Sequence, residues 1–218
     1  MIDRTPTIMD IQKYSRYSVV IPLIQTPSGY EVLFEVRSLK LKHQPGEICF
    51  PGGRAEAQES PWETAMRETC EELLITKSQF KEVIPLDIFV SPFGMIIYPF
   101  AVVLEDYHDS LSRDEVEEVF TVPLSFFKAH EPECYICRTD NCPGEDFPYE
   151  KIPGGRNYPW RQGRYEVNFY EYKNRNIWGL TAKLLKASLP LIDKMMMFLE
   201  DNDDEDEKEK KQSDDYGG

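Results

Sequence analysis

Glu68, Glu71 and Glu72 put three carboxylates within five positions, inside the run GGRAEAQESPWETAMRETCEELLI over residues 52–75. On a helix each residue advances about 100°. Glu72 then lies about 40° from Glu68, and Glu71 about 60° from it on the other side. All three project from one face, where like charges repel. A divalent cation offsets such repulsion, so the spacing reads as a magnesium or manganese site on a helix. The plainer alternative is the solvated acidic face of an ordinary amphipathic helix. The run from Gly53 through Glu72, preceded by Phe50-Pro51-Gly52, favours the cation site.

The helix that must carry these groups is well specified. Ser60-Pro61-Trp62-Glu63 supplies a Ser N-cap, Pro at the first helical position and Glu at the third, which together make a capping box. Trp62, Met66, Thr69 and Leu73 form a separate stripe with Ala65 at its edge. That stripe can pack on a core while the carboxylates face a cleft.

Gly53, Glu59, Arg67, Glu68, Glu71, Glu72 and Ile75 resemble the Nudix box, GX5EX7REUXEEXGU, where U is aliphatic. Thr69 stands where an aliphatic residue is usual, and Leu74 where the family has Gly. A Gly there ends the helix in a left-handed conformation that costs a Leu about 1 kcal/mol. With Leu74 the helix is expected to run on or to end differently. Upstream, Arg37-Ser38, Lys42, Gly46 and Phe50-Pro51-Gly52-Gly53 resemble the R-S-x3-R-x3-G-x3-F-P-G-G motif of coenzyme A diphosphatases, with Lys42 in place of the second Arg. Lys42 keeps the charge but loses the planar fork that grips phosphate bidentately. Asn176 to Ala182 resembles that branch's IWGLTA segment. Asp114-Glu115-Val116, Glu118-Val119-Phe120 and Val122-Pro123-Leu124 also fit.

The resemblance implies an α/β fold, the Nudix α/β/α sandwich with a mixed central sheet. It implies metal-dependent hydrolysis of the diphosphate of coenzyme A or its thioesters, giving 3′,5′-ADP and 4′-phosphopantetheine or its acylated form. Glu68 and Glu72 are then the first-choice ligands for Mg²⁺ or Mn²⁺, with Glu71 and the carbonyl of Gly53 sharing the coordination. Arg67 orients a carboxylate, Glu59 foremost, and Arg37 and Lys42 bind phosphates of the ADP moiety. The base is Glu71 or one of Glu115, Glu117 and Glu118, although the last three also read as a charged helix start. Two other readings stay open: hydrolysis of ADP-ribose or a dinucleotide, and a ligand-binding module on the same fold without catalysis. A homodimer is compatible with all of them.

The 218 residues read as one domain over 1–199 with an acidic tail over 200–218. Hydrophobic residues make up 41%, enough for a sizeable core. No apolar run reaches eighteen residues, so no membrane span is expected. MIDRTPTIMDIQKYSRYS lacks an apolar signal segment, and the expected compartment is the cytoplasm, where the five cysteines stay reduced. The net charge is −14. Residues 200–218 carry ten acids against three lysines, and one aromatic with no aliphatic residue, so this tail is expected to be disordered. Such a balance argues against nucleic acid as the main partner.

Strands are expected at 18–24, 30–36, 47–50, 80–90 and 96–104, and a hairpin over 165–178. A closing helix over 180–199 is expected to be broken at Pro190. The segment 130–160 stands apart. Cys134, Cys137 and Cys142, with His130, have a spacing that could hold zinc, but the usual second ligand pair is missing, and an extended loop with free thiols is favoured. Phe147, Tyr149, Tyr158 and Trp160, with Arg156, Arg161 and Arg164, could serve a nucleotide base and phosphates or simply pack on the domain.

Overall fold

The computed structural model describes residues 8–215, with side chains through 200 and at 202. The N-terminal segment before residue 8 and the last three residues of the tail fall outside them. The chain divides into two compact units, residues 1–131 with 184–218, and residues 132–183.

The first unit is built on β1 (Ser15–Thr26), β2 (Gly29–Arg37), β3 (Ile48–Cys49), β4 (Gly52–Arg54), α1 (Pro61–Leu73), β5 (Phe80–Pro85), β6 (Phe89–Val90), β7 (Met95–Leu104), β8 (Val116–Pro123) and α2 (Leu124–Ala129). The sheet runs β3-β2-β1-β7-β5, with β8 beside β2, β4 beside β1 and β6 beside β7. β1 and β7 are parallel over ten pairs from Ser15–Met95 to Ile24–Leu104; every other pairing is antiparallel, so the sheet is mixed.

Alternation along β2 sorts the two faces of this sheet. Leu33 packs with Val20, Val102 and Leu104 against Ala65 and Leu73 of α1. Phe34 points the other way, into a ring cluster with Phe50, Phe120 and Phe127 of α2. Trp62 of α1 meets Phe80 edge-on at 5.7 Å and Phe100 at 5.2 Å. Full burial of each Leu or Val side chain contributes about 1.5–3 kcal/mol, so this apolar patch seats α1 and frees its charged edge for the cleft. The segment 115–118, which also reads as a charged helix start, instead leads into β8 from Val116 on, because Val116, Val119 and Val122 pair with β2. The expected strand over 80–90 is two strands, interrupted at 86–88.

The second unit is an antiparallel sheet of β9 (Glu133–Thr139), β10 (Gly163–Tyr172) and β11 (Arg175–Trp178). Cys134 and Cys137 lie three apart on β9, opposite Asn168 and Tyr165, so they occupy opposite faces of the strand and do not share a zinc ion. The aromatic residues of the 140–162 connection pack on one another: Phe147 with Tyr149 and Trp160, and Tyr158 with Trp160, while Arg156 lies 4.7 Å over the Tyr149 ring. Arg161 and Arg164 border a separate open pocket with Thr139, Asn141 and Gln162.

α3 (Gly179–Asp215) starts in the second unit and continues through the first. It passes Pro190 without a break, contrary to the sequence expectation. The residues around Pro190 hold the helix in place: Leu185, Ile192, Met195 and Met196 are buried, and Lys128 of α2 pairs with Asp193 at 2.5 Å. The missing N–H of Pro190 removes one helical bond, which this packing outweighs. The helical backbone extends past residue 200 into the stretch whose composition argues for disorder.

Candidate active site

Two local structures bring the acids of α1 to the backbone of β4. The first is the N-terminal cap. Ser60 Oγ accepts from the Glu63 N–H and the Glu63 carboxylate accepts from the Ser60 N–H, with Pro61 opening the helix. The second is the close approach at Gly52 and Gly53. The Gly52 N–H donates to Glu72 Oε2 at 2.7 Å. A Cβ on Gly53 would lie 2.3–2.6 Å from the Glu68 carboxylate, so this position admits no side chain while Glu68 stays in place. Gly52 has φ 147 and sits on the Ser18 carbonyl, which also requires glycine.

Arg67 organises the carboxylates around it. It donates to Glu59 through Nε at 2.7 Å and through Nη2 at 3.1 Å, in a bidentate pair. Its Nη1 lies 2.9 Å from Glu68 and 3.3 Å from Glu71. The guanidinium, with the Glu56 N–H and the Thr64 hydroxyl, holds the Glu59 carboxyl down at about 2. With its fork used this way, Arg67 positions acids and does not face the cleft.

An open cleft of about 750 Å³ is lined by Tyr17, Arg37, Lys42, His43, Gln44, Gly52, Gly53, Arg54, Glu68, Glu72 and Glu115. It collects, from the residues the sequence singles out, Arg37, Lys42, Gly53, Glu68, Glu72 and Glu115. Glu115 arrives because the Ser38 N–H donates to its carbonyl, and because Ser112 N–H and Ser110 Oγ tie the preceding loop to the carbonyls of Glu72 and Leu73. Glu71 and Glu118 do not line it. Glu71 is rotated about 100° from Glu72, is 56% exposed, and lines a separate groove with Glu59, Met66 and Lys77. Glu118 is opposite Val36 on β2, and cross-strand partners share a face. That face is the one away from α1, since Glu35, the neighbour of Val36, is on the α1 side with Leu33.

Burial pushes the Glu68 carboxyl above its ordinary range, with Arg67 opposing and Glu71 and Glu115 adding to the rise. Burial raises Glu72 further; the charge of Glu35 adds to this, and the Gly52 N–H works against it. These acids repel one another, which is the electrostatic condition a divalent cation relieves. Among the described residues no three His, Cys, Asp or Glu side chains converge tightly enough to hold an ion unaided. Two carboxylates and the Gly53 carbonyl nonetheless fit Mg²⁺, which keeps several waters and completes its shell from substrate phosphates.

Glu35, on β2, is the acid that motif reading misses. It is 1% exposed and accepts the Cys49 S–H at 3.2 Å. Burial lifts its carboxyl to about 7, against the pull of Cys49 and Arg37. The signal was present in the alternation of YEVLFEVR, where Leu33 marks the buried face and Glu35 falls on it.

Residues 15–133 match the NUDIX domain family. The chain is 33% identical over 151 residues to the peroxisomal coenzyme A diphosphatase NUDT7 of Mus musculus, covering 66% of this chain and 63% of that protein. It is 30% identical over 195 residues to Nudix hydrolase 3 of Caenorhabditis elegans, covering 85% and 77%. It is 38% identical over 101 residues to the peroxisomal coenzyme A diphosphatase ndx-8 of Caenorhabditis elegans, covering 44% and 43%. The chain thus spans less than two thirds of the mouse protein's length. The box of carboxylates on α1, its glycine approach on β4 and the match over most of the first unit agree, and this chain belongs to the Nudix hydrolase family.

Proposed function

We propose that this Nudix hydrolase cleaves the diphosphate of coenzyme A or an acyl-coenzyme A, giving 3′,5′-ADP and (acyl-)4′-phosphopantetheine. One observation carries the reading: Arg37 and Lys42, from the motif that resembles the coenzyme A branch, line the same cleft as Gly53, Glu68 and Glu72. The names of the mouse and nematode relatives lend it support.

Glu68, Glu72 and the Gly53 carbonyl would hold Mg²⁺ or Mn²⁺. When bound, such an ion polarises a phosphoryl oxygen and lowers the pKa of an attacking water. The protein supplies the rest. Arg67 keeps Glu68 in position from behind, and the Gly52 N–H fixes Glu72. Arg37 and Lys42 attract and orient substrate phosphates at the cleft wall. Glu115 is the acid in the cleft with no role as a ligand, so it is the residue assigned to take the proton from water as the P–O bond forms. Glu71 and Glu118, being outside the cleft, are not.

The test is hydrolysis of coenzyme A, dephospho-coenzyme A and ADP-ribose under Mg²⁺ and under Mn²⁺, read as diphosphate cleavage by chromatography. Coenzyme A is expected to be preferred. If Arg37 holds the 3′-phosphate, dephospho-coenzyme A is the poorer substrate by about ten- to a hundredfold in kcat/KM, the worth of one charge-assisted contact. Arg37→Ala is expected to close that gap. Hydrolysis of ADP-ribose with none of coenzyme A would assign a different nucleotide substrate. No hydrolysis of any of the three, with retained nucleotide binding, would mark a binding module.

A further inference from the structure

The Cys49-bound carboxylate on β2 does not line the cleft and belongs to no part of the motif. Glu35 sits mid-strand between Cys49 on β3 and Val119 on β8, on the sheet face that α1 covers. One oxygen accepts the Cys49 thiol; the other, Oε2, is buried with no hydrogen-bond partner among the described residues. Arg37 Nε is buried and unpartnered in the same sense. The side chain is almost wholly buried, and native structures rarely leave such an oxygen bare. Glu35 does not act alone: of the neighbouring charges, its own weighs most on Glu72, and Glu115 and Glu68 weigh on it. A neutral residue at this point would relax the site. Glu35 keeps it strained by concentrating negative charge behind the two acids assigned to the cation.

We propose that Glu35 is a positioning residue for the divalent cation, supplying from the α1-covered face of β2 a charge that strengthens the hold of Glu68 and Glu72. This inference rests on the reading that Glu68 and Glu72 hold the cation. Glu35 acts through its field, since among the described residues no third side chain joins these acids as a close ligand set. Supporting groups of this kind typically change metal affinity by about ten- to a hundredfold. Cys49 is part of the arrangement: by donating its S–H to Oε1 it turns the bare oxygen away from itself.

The experiment measures Mn²⁺ affinity without substrate, by the electron paramagnetic resonance signal of free Mn²⁺, and the melting temperature with and without Mn²⁺. The variants are Glu35→Gln, Glu35→Thr, Glu35→Asp, Glu68→Gln and Glu72→Gln. Glu35→Gln and Glu35→Thr are expected to weaken Mn²⁺ binding about tenfold or more and to shrink the rise in melting temperature that Mn²⁺ brings, while the cation-free proteins melt no lower than wild type. Glu35→Asp, which keeps the charge, is expected to recover most of the affinity; a packing role alone would not be rescued in this way. If Glu68→Gln and Glu72→Gln lose Mn²⁺ but both neutral Glu35 variants bind it as wild type does, the inference about Glu35 is overturned and the cation site stands. If Mn²⁺ binding survives Glu68→Gln and Glu72→Gln, the cation site itself is overturned, and the role of Glu35 with it.

Discussion

Leu74 closes α1 at φ 52 and ψ 43, the left-handed conformation that the family's glycine adopts at this point. The helix neither runs on nor ends differently, as the leucine had suggested. Packing on both sides explains this: Leu73 and Ile75 are both buried, and only a left-handed residue between them turns the chain so that both reach the core. Leu74 itself is 60% exposed and contributes little burial. The strain of a left-handed Leu is about 1–2 kcal/mol, and glycine returns about half of that in backbone entropy. Leu74→Gly is therefore expected to raise stability by about 0.5–1 kcal/mol with activity unchanged; a denaturant midpoint at or below wild type would show that the leucine makes contacts worth keeping. Glu35 carries a second prediction at this scale. Its folded pKa, about 7, stands above the ordinary 4.5. A raised carboxyl binds its proton more tightly in the folded state. Its contribution to stability is thus fully present below pH about 4.5 and is lost as pH rises through about 7. That loss is on the order of 3 kcal/mol for a shift of this size. Glu68 and Glu72 are raised as well and act in the same sense. Denaturation of the cation-free protein between pH 5 and 8 is expected to show stability falling, and Glu35→Gln to flatten the fall. An unchanged slope in that variant would mean that Glu35 is not the group responsible.

Two glycines on one short strand do different work, and substitution separates them. At Gly53 the obstacle to a Cβ is the Glu68 carboxylate, the free end of a flexible side chain. Gly53→Ala is expected to fold with its melting temperature nearly unchanged, because Glu68 can swing aside. In doing so Glu68 leaves Arg67 and the cation position, and a displacement of about 1 Å costs about a hundredfold in kcat. At Gly52 the obstacle is the Ser18 carbonyl and the Val19 backbone, which cannot move, and φ is 147. Gly52→Ala is expected to destabilise the fold itself. Equal losses of melting temperature in the two variants would contradict this division. At the scale of elements, local signals in the sequence were readable where one segment contains its own instructions: Ser60, Pro61 and Glu63 define the start of α1, and apolar runs bounded by turn residues define β1, β2 and β7. Elements that depend on partners were not. β8 was ambiguous because Glu117 and Glu118 read as helix-forming charges, and only pairing with β2 makes the segment a strand. Pro190 reads as a break, and only burial of Leu185 and Ile192 keeps α3 continuous. Within the site, the motif named Glu68, Glu72 and Gly53, but angles on an ideal helix could not tell that Arg67 draws Glu71 to a different groove. Glu35 is invisible to the motif because its role arises from β2 passing under α1.

For the molecule as a whole, charge is the remaining variable. Half of the net −14 lies in residues 200–218, beyond the part of α3 whose burial anchors it. That stretch has no aliphatic residue, so its removal is expected to leave stability within about 0.5 kcal/mol. The catalytic consequence is electrostatic. The proposed substrate is an anion, the cleft already holds several acids, and seven further negative charges on the same chain oppose its approach. At physiological ionic strength the Debye length is about 8 Å, so this repulsion is screened; at 0.01 M it reaches about 30 Å. A chain ending at Leu199 is therefore expected to show a lower KM than the full chain at low salt, the same KM near 0.15 M, and the same kcat at both, since the field acts on encounter and not on the bound state. A KM difference that persists at 0.15 M would mean that the tail touches the cleft or the substrate directly. A melting temperature several degrees lower in the shortened chain would mean that residues beyond 199 dock on the first unit and contribute to its fold.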